Sequence, residues 1–168
     1  MSRMDRLYKW MFALWCVLLL SGCQSKQEWP DNRYCLLLEE NPHMPSGRWS
    51  IQVQMPVSHL LLDVCANPVL YDVDFESVDT AETALGTCLL VRLKRHAAIE
   101  FYKISVGCEQ QRLVLLKNNV PIGYSYSISH PMEEGMLLFY LEEEDMSAVD
   151  IQEEINKTII LLRKLKNK

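Results

Sequence analysis

Six cysteines, four histidines and one run of acids are the residues of this chain that could do chemistry, and spacing decides which chemistry is open to them. Cys35, Cys65, Cys88 and Cys108 lie far apart, with no Cys-x₂₋₄-Cys pair of the kind that builds a zinc site. An even number of thiols reads as disulfides wherever the chain meets an oxidising compartment. Three connectivities are open. Cys88–Cys108 has a local argument, because a strand followed by a helix returns the chain close to its start, and that pairing leaves Cys35–Cys65. His43, His59, His96 and His130 include no pair at i, i+4, so each reads as a surface or hydrogen-bonded histidine. No serine stands in a Gly-x-Ser-x-Gly turn, and there is neither a P-loop nor a dinucleotide fingerprint. Glu142-Glu143-Glu144-Asp145 lacks the alternate ligands and the glycine of a calcium loop, and reads as a solvated connection that favours the start of the helix after it. The expectation is a protein with no catalytic residues, no metal and no cofactor.

Cys23 stands in a different context. Arg3, Arg6 and Lys9 precede an apolar core from Met11 to Leu20, and Leu20-Ser21-Gly22-Cys23 closes it. A basic start, a short apolar core and small residues before the cut describe an export signal. The core is about half as long as the roughly 20 residues of a membrane-spanning helix. The closing tetrad resembles the bacterial lipobox, in which the cysteine thiol receives a diacylglycerol and becomes the first residue of the mature protein. The resemblance implies a bacterial lipoprotein, with a signal peptide over 1–22 that carries Cys16 away and a lipid on Cys23. Gln24, rather than Asp, after that cysteine implies the outer membrane facing the periplasm, in preference to the inner membrane, where the enterobacterial sorting rule holds.

Residues 24–32 are polar and read as part of a tether over 23–32, with Trp29 a lone aromatic in it. Residues 33–168 are enough for a single domain with a hydrophobic core. The leader is net +2 in a chain of −5, which leaves −7 for residues 23–168. Nucleic acid and anionic lipid surfaces reward clustered Lys and Arg, so neither is an expected partner. The tether to the membrane must come from acyl chains, since one chain binds marginally and two or three hold firmly.

The pattern after residue 33 is mostly of strands. Tyr34 to Glu39 is apolar, and Trp49 to Met55 alternates apolar with polar, as a half-buried strand does. Asn41-Pro42 and Pro45-Ser46-Gly47 mark a loop between them. Leu60 to Val64 reads as another strand and Val69 to Val78 as an extended segment. From Gly86 the order is strand (Thr87 to Leu93), helix (Arg95 to Val106), strand (Arg112 to Lys117), strand (Val120 to Ile128), strand (Met136 to Leu141), helix. The first helix is expected to bury Ala98, Phe101 and Ile104, and to stop at Gly107. The second starts at Ser147 with Asp150 three residues on, a capping-box variant, and carries the stripe Ile151, Ile155, Ile159, Leu162. Strands and helices thus segregate into an α+β fold, an antiparallel sheet with helices on one face. Asn118-Asn119 forms a turn. Ile122, Tyr124 and Tyr126 share one face of the strand that follows, a face that either packs the sheet or recognises a partner.

The stretch from Leu93 through Ala97-Ala98 to Phe101 leads into Gln111–Asn119 and Val120–Ile128, and then into His130-Pro131-Met132-Glu133-Glu134-Gly135. Together they resemble the periplasmic head subdomain of the SecD/SecDF preprotein translocase subunit. Asn67-Pro68-Val69-Leu70 and Asp72 to Asp74 resemble the segment that enters that head, so the likeness covers about residues 64–165. It implies a ferredoxin-like head that contacts other polypeptides outside the cytoplasmic membrane. It implies no proton-driven transport, because no apolar segment long enough to span a membrane follows the leader. The expected function is a membrane-anchored, non-enzymatic envelope lipoprotein that binds a protein or peptide, as an accessory to exported polypeptides. An inhibitor or regulator of a secreted enzyme is the alternative, and a hydrolase assembled from distant residues is a third reading.

Overall fold

A computed structural model describes residues 28–41, 49–84, 86–129, 134–143 and 146–166. The leader with Cys23, and also His43, His130, Glu144 and Asp145, lie outside the described residues. In chain order the elements are β1 (Tyr34–Leu38), β2 (Ser50–Gln54), β3 (Leu61–Cys65), β4 (Leu70–Tyr71), a 3₁₀ turn (Asp72–Asp74), β5 (Phe75–Thr83), β6 (Gly86–Leu93), α1 (Arg95–Ser105), β7 (Leu113–Lys117), β8 (Val120–Ser125), β9 (Met136–Leu141) and α2 (Ala148–Lys166). Seven strands make one sheet in the order β4-β1-β7-β8-β9-β6-β5, and β2 pairs with β3 in a separate hairpin. All its ladders are antiparallel.

The two edges of this sheet, β4 and β5, are separated by only the three residues of the 3₁₀ turn. The sheet must therefore curl until its edges approach, and α2 packs across the gap against β5, β6 and the turn. The fold class is α+β. The order departs from a ferredoxin-like sheet: β6, which leads into α1, pairs with β9 and β5, and β7–β8–β9 form a meander.

Period-two alternation builds two cores. On the helix side, Leu36, Leu89, Val91, Leu113, Leu115 and Phe139 meet Phe101 of α1 and Ile151, Ile155 and Ile159 of α2. On the other side, Leu37, Val114 and Leu116 meet Met55, Leu62 and Val64 of the hairpin. β1 and β7 are covered on both faces, which is why they read as unbroken apolar runs. β5 (Phe-Glu-Ser-Val-Asp-Thr-Ala-Glu-Thr) is polar because it is an edge strand, and a register shift between Phe75 and Ser77 interrupts its alternation. The expected extended segment Val69 to Val78 thus divides at the 3₁₀ turn.

Local chemistry explains the ends of the elements. Ser147 and Asp150 form the expected box: the Ser147 N–H donates to Asp150 Oδ2 at 3.1 Å, and the Asp150 N–H to Ser147 Oγ at 3.2 Å. The Ser147 hydroxyl also donates to Asp150 Oδ2 at 2.7 Å, and this bond first, then the Ser147 N–H, holds the Asp150 carboxyl below its ordinary pKa. Asn118 and Asn119 both have positive φ, as a two-residue hairpin turn matched to strand twist requires. α1 buries Ala97, Phe101 and Ser105, while Ala98 and Ile104 pack at its margin and Tyr102 is exposed. Arg33 grips the buried Asp72 through both oxygens, Nε to Oδ2 at 2.6 Å and Nη2 to Oδ1 at 2.9 Å, and pins the chain entering β1 to the 3₁₀ turn.

Candidate functional site

The strand that carries Ile122, Tyr124 and Tyr126 does not present them on one face. Partners along β8 step from Leu115↔Gly123 to Leu116↔Pro121, so Ile122 is the extra residue of a β-bulge. The bulge turns Ile122 toward the helices, where it is only 3% exposed. Tyr124 lies on the opposite face, half-buried against the hairpin core. Tyr126, past the end of β8, is 55% exposed. Pro121 was the available signal, since proline inside a sheet is confined to edges and bulges.

The hairpin covers the side of the sheet opposite the helices only at β1, β7 and Tyr124. Among the described residues nothing covers that face toward β9, β6 and β5. Tyr126 meets Tyr140 edge-to-face, ring centres 4.7 Å apart at 73°. Leu138, two residues back on the same face of β9, is 37% exposed. The Tyr140 hydroxyl is pushed up to about 12, first by its hydrogen bond with Tyr126 and then by burial, and it reaches across β6 to Thr83 and Cys88. Arg92 and Asp79 close this face with a 3.5 Å ion pair. The result is an aromatic and aliphatic surface with a polar rim, the composition of a recognition surface.

Glu142 is a residue whose role the sequence hid. It belongs to the acidic run expected to be solvated, yet it is buried, and its Oε2 accepts the N–H groups of Val57 (3.2 Å) and Ser58 (2.9 Å). The run thus anchors the turn of the β2–β3 hairpin to the main sheet. Tyr34 is buried beside Glu154, outside hydrogen-bond geometry, and burial followed by that carboxylate pushes its hydroxyl well up.

The structure shows no disulfide among Cys35, Cys65, Cys88 and Cys108. Cys88 Sγ lies 3.5 Å from Thr83 Oγ1, and Cys108 Sγ donates to the Ile104 carbonyl at 3.0 Å. The two thiols thus have different hydrogen-bond neighbours, one in β5 and one in α1. Cys35 in β1 packs against the hairpin core, and burial pushes its thiol up. Burial does the same to Cys108, with Cys65 adding a second upward push. Among the described residues no three His, Cys, Asp or Glu side chains gather to hold a metal ion. His96 lies 3.5 Å from Asp74 at the start of α1, and His59 takes a positive φ in the hairpin turn. No described helix is long and apolar enough to cross a membrane.

A fold of this kind, a curled antiparallel sheet backed by two helices, has counterparts among solved structures of a membrane protein. The chain is similar to SecDF in its super-membrane-facing form, with TM-score 0.50 and 12% identity over 77% of this chain and 18% of that one. It is also similar to a structure described as the membrane component SecDF that enhances protein export, with TM-score 0.49 and 12% identity over 77% of this chain and 62% of that one. The chain thus spans under a fifth of the first and about three fifths of the second. No family model and no curated protein matches it.

Proposed function

We propose that this chain is a lipid-anchored protein of the bacterial cell envelope that binds other polypeptides, exported ones among them, and catalyses no reaction. The observation that carries the reading is the open sheet face of Tyr126, Tyr140 and Leu138, which neither the helices nor the hairpin cover. The leader closing on Cys23 supports the address, and the SecDF-like fold supports the company it keeps. A photo-crosslinking amino acid at Tyr126, in the lipidated protein and native membranes, tests it. Exported chains or translocase components should crosslink from Tyr126 and not from the exposed α2 position Lys157. Equal capture of abundant envelope proteins from both positions would overturn the reading.

A further inference from the structure

We propose that the outer edge of β5 from Asp79 to Glu82 is a strand-addition site for an extended segment of another polypeptide. The proposal rests on the polypeptide-binding reading and names where the partner pairs. The edge is sealed over its first half and open over its second. Asn156 of α2 accepts the Val78 N–H at 3.0 Å and donates to the Val78 carbonyl at 2.7 Å, so one side-chain amide does what a neighbouring strand would do. Arg163 donates to the Glu76 carbonyl at 2.5 Å. Val78 therefore turns both main-chain groups away from β6, and Val78↔Val91 is a non-hydrogen-bonded pair of the ladder.

The ladder runs without a shift from Ser77 to Thr83, so alternation assigns the same outward orientation to Thr80 and Glu82. Nothing among the described residues bonds their outward N–H and C=O groups, and both residues are exposed. Helix α2 cannot serve them, because N-terminal to Asn156 it crosses toward β7, where Glu154 holds Lys117 at 2.8 Å. Two outward donors and two outward acceptors at period two are the complement of an extended backbone. The acidic chain, with the exposed Glu82 carboxylate beside this edge, favours a partner segment that carries Lys or Arg.

The probe is a fluorescein-labelled nine-residue peptide of alternating Thr and Val with a Lys at each end, followed by anisotropy. Wild type should bind it. The same peptide N-methylated at alternate amides should bind roughly tenfold more weakly, as the loss of two main-chain hydrogen bonds implies. Thr80→Pro removes an outward N–H that the β6 ladder does not use, and proline is tolerated on such an edge, so it should fold and lose affinity by a smaller factor, roughly threefold, as the loss of one main-chain hydrogen bond implies. If Thr80→Pro does not fold, the N-methylated peptide decides on wild type alone. No binding, or binding indifferent to N-methylation, overturns the proposal. So does a wild-type dimer in sedimentation that Thr80→Pro dissolves, since a second copy would then occupy the edge. Exported chains crosslinking to Tyr126 equally in wild type and Thr80→Pro would sink the edge and leave the function standing. Peptide binding at the edge without any such crosslinks would do the reverse.

Discussion

One carboxylate, Glu142, ties the turn of the β2–β3 hairpin to the main sheet. Met55 and Leu62 give the β2–β3 hairpin its apolar contact with the sheet, and the Glu39↔Val64 bridge with the Glu40 N–H to Asp63 carbonyl bond ties the far end of β3, which leaves the turn at the other end to be fixed. The two N–H groups bonded to Glu142 Oε2 fix that turn, and they would be left without an acceptor if the carboxylate were removed. Glu142→Ala should therefore cost about 1–3 kcal/mol in urea denaturation and speed amide exchange at Val57 and Ser58. Glu142→Gln keeps an acceptor oxygen and should recover most of the loss. Unchanged exchange at Val57 and Ser58 in the alanine variant would show that the turn is held by packing instead.

At the scale of elements, close approach of β8 and β9 depends on Gly123. A Cβ there would lie 2.5 Å from the Tyr140 carbonyl oxygen, a backbone atom that cannot swing aside. Gly123→Ala should force β8 and β9 apart and cost about 1–3 kcal/mol, read as a lower thermal midpoint with weaker Tyr126–Tyr140 ring contact. A midpoint equal to wild type would mean that the strands yield without loss. The same strand marks how far the fold could be read beforehand. Both helices, the Asn118-Asn119 turn and the α+β class follow from local patterns, since capping and periodicity act within a few residues. The bulge at Ile122 does not follow from alternation, which cannot register an extra residue without its partner strand, and Pro121 marks the place only as an edge or a bulge. The polar half of β5 after Val78 escaped for a related reason: its stability comes from the β6 ladder, which alternation within β5 does not reveal. Of the candidate surface, Tyr126 was legible, whereas Tyr140 and Leu138 join it only through the β8–β9 register.

For the molecule as a whole, charge and anchor can be separated by experiment. Residues 23–168 carry −7, so a membrane surface rich in anionic lipid repels the domain rather than holding it. On the lipoprotein reading the only attachment is the acyl chains on Cys23. The ten residues of the tether then allow Arg33 to stand at most roughly 35 Å from the lipid. Wild type should accordingly stay in the membrane fraction at both low and high salt, because apolar insertion is insensitive to screening while a charge-held protein would wash off. Cys23→Ser should move the protein to the soluble fraction at every salt concentration, with its thermal midpoint unchanged, since among the described residues none of either core lies before Tyr34. If Cys23→Ser remains membrane-bound in high salt, the leader acts as an uncleaved anchor. The domain would then face its partners from a transmembrane stem instead of a lipid.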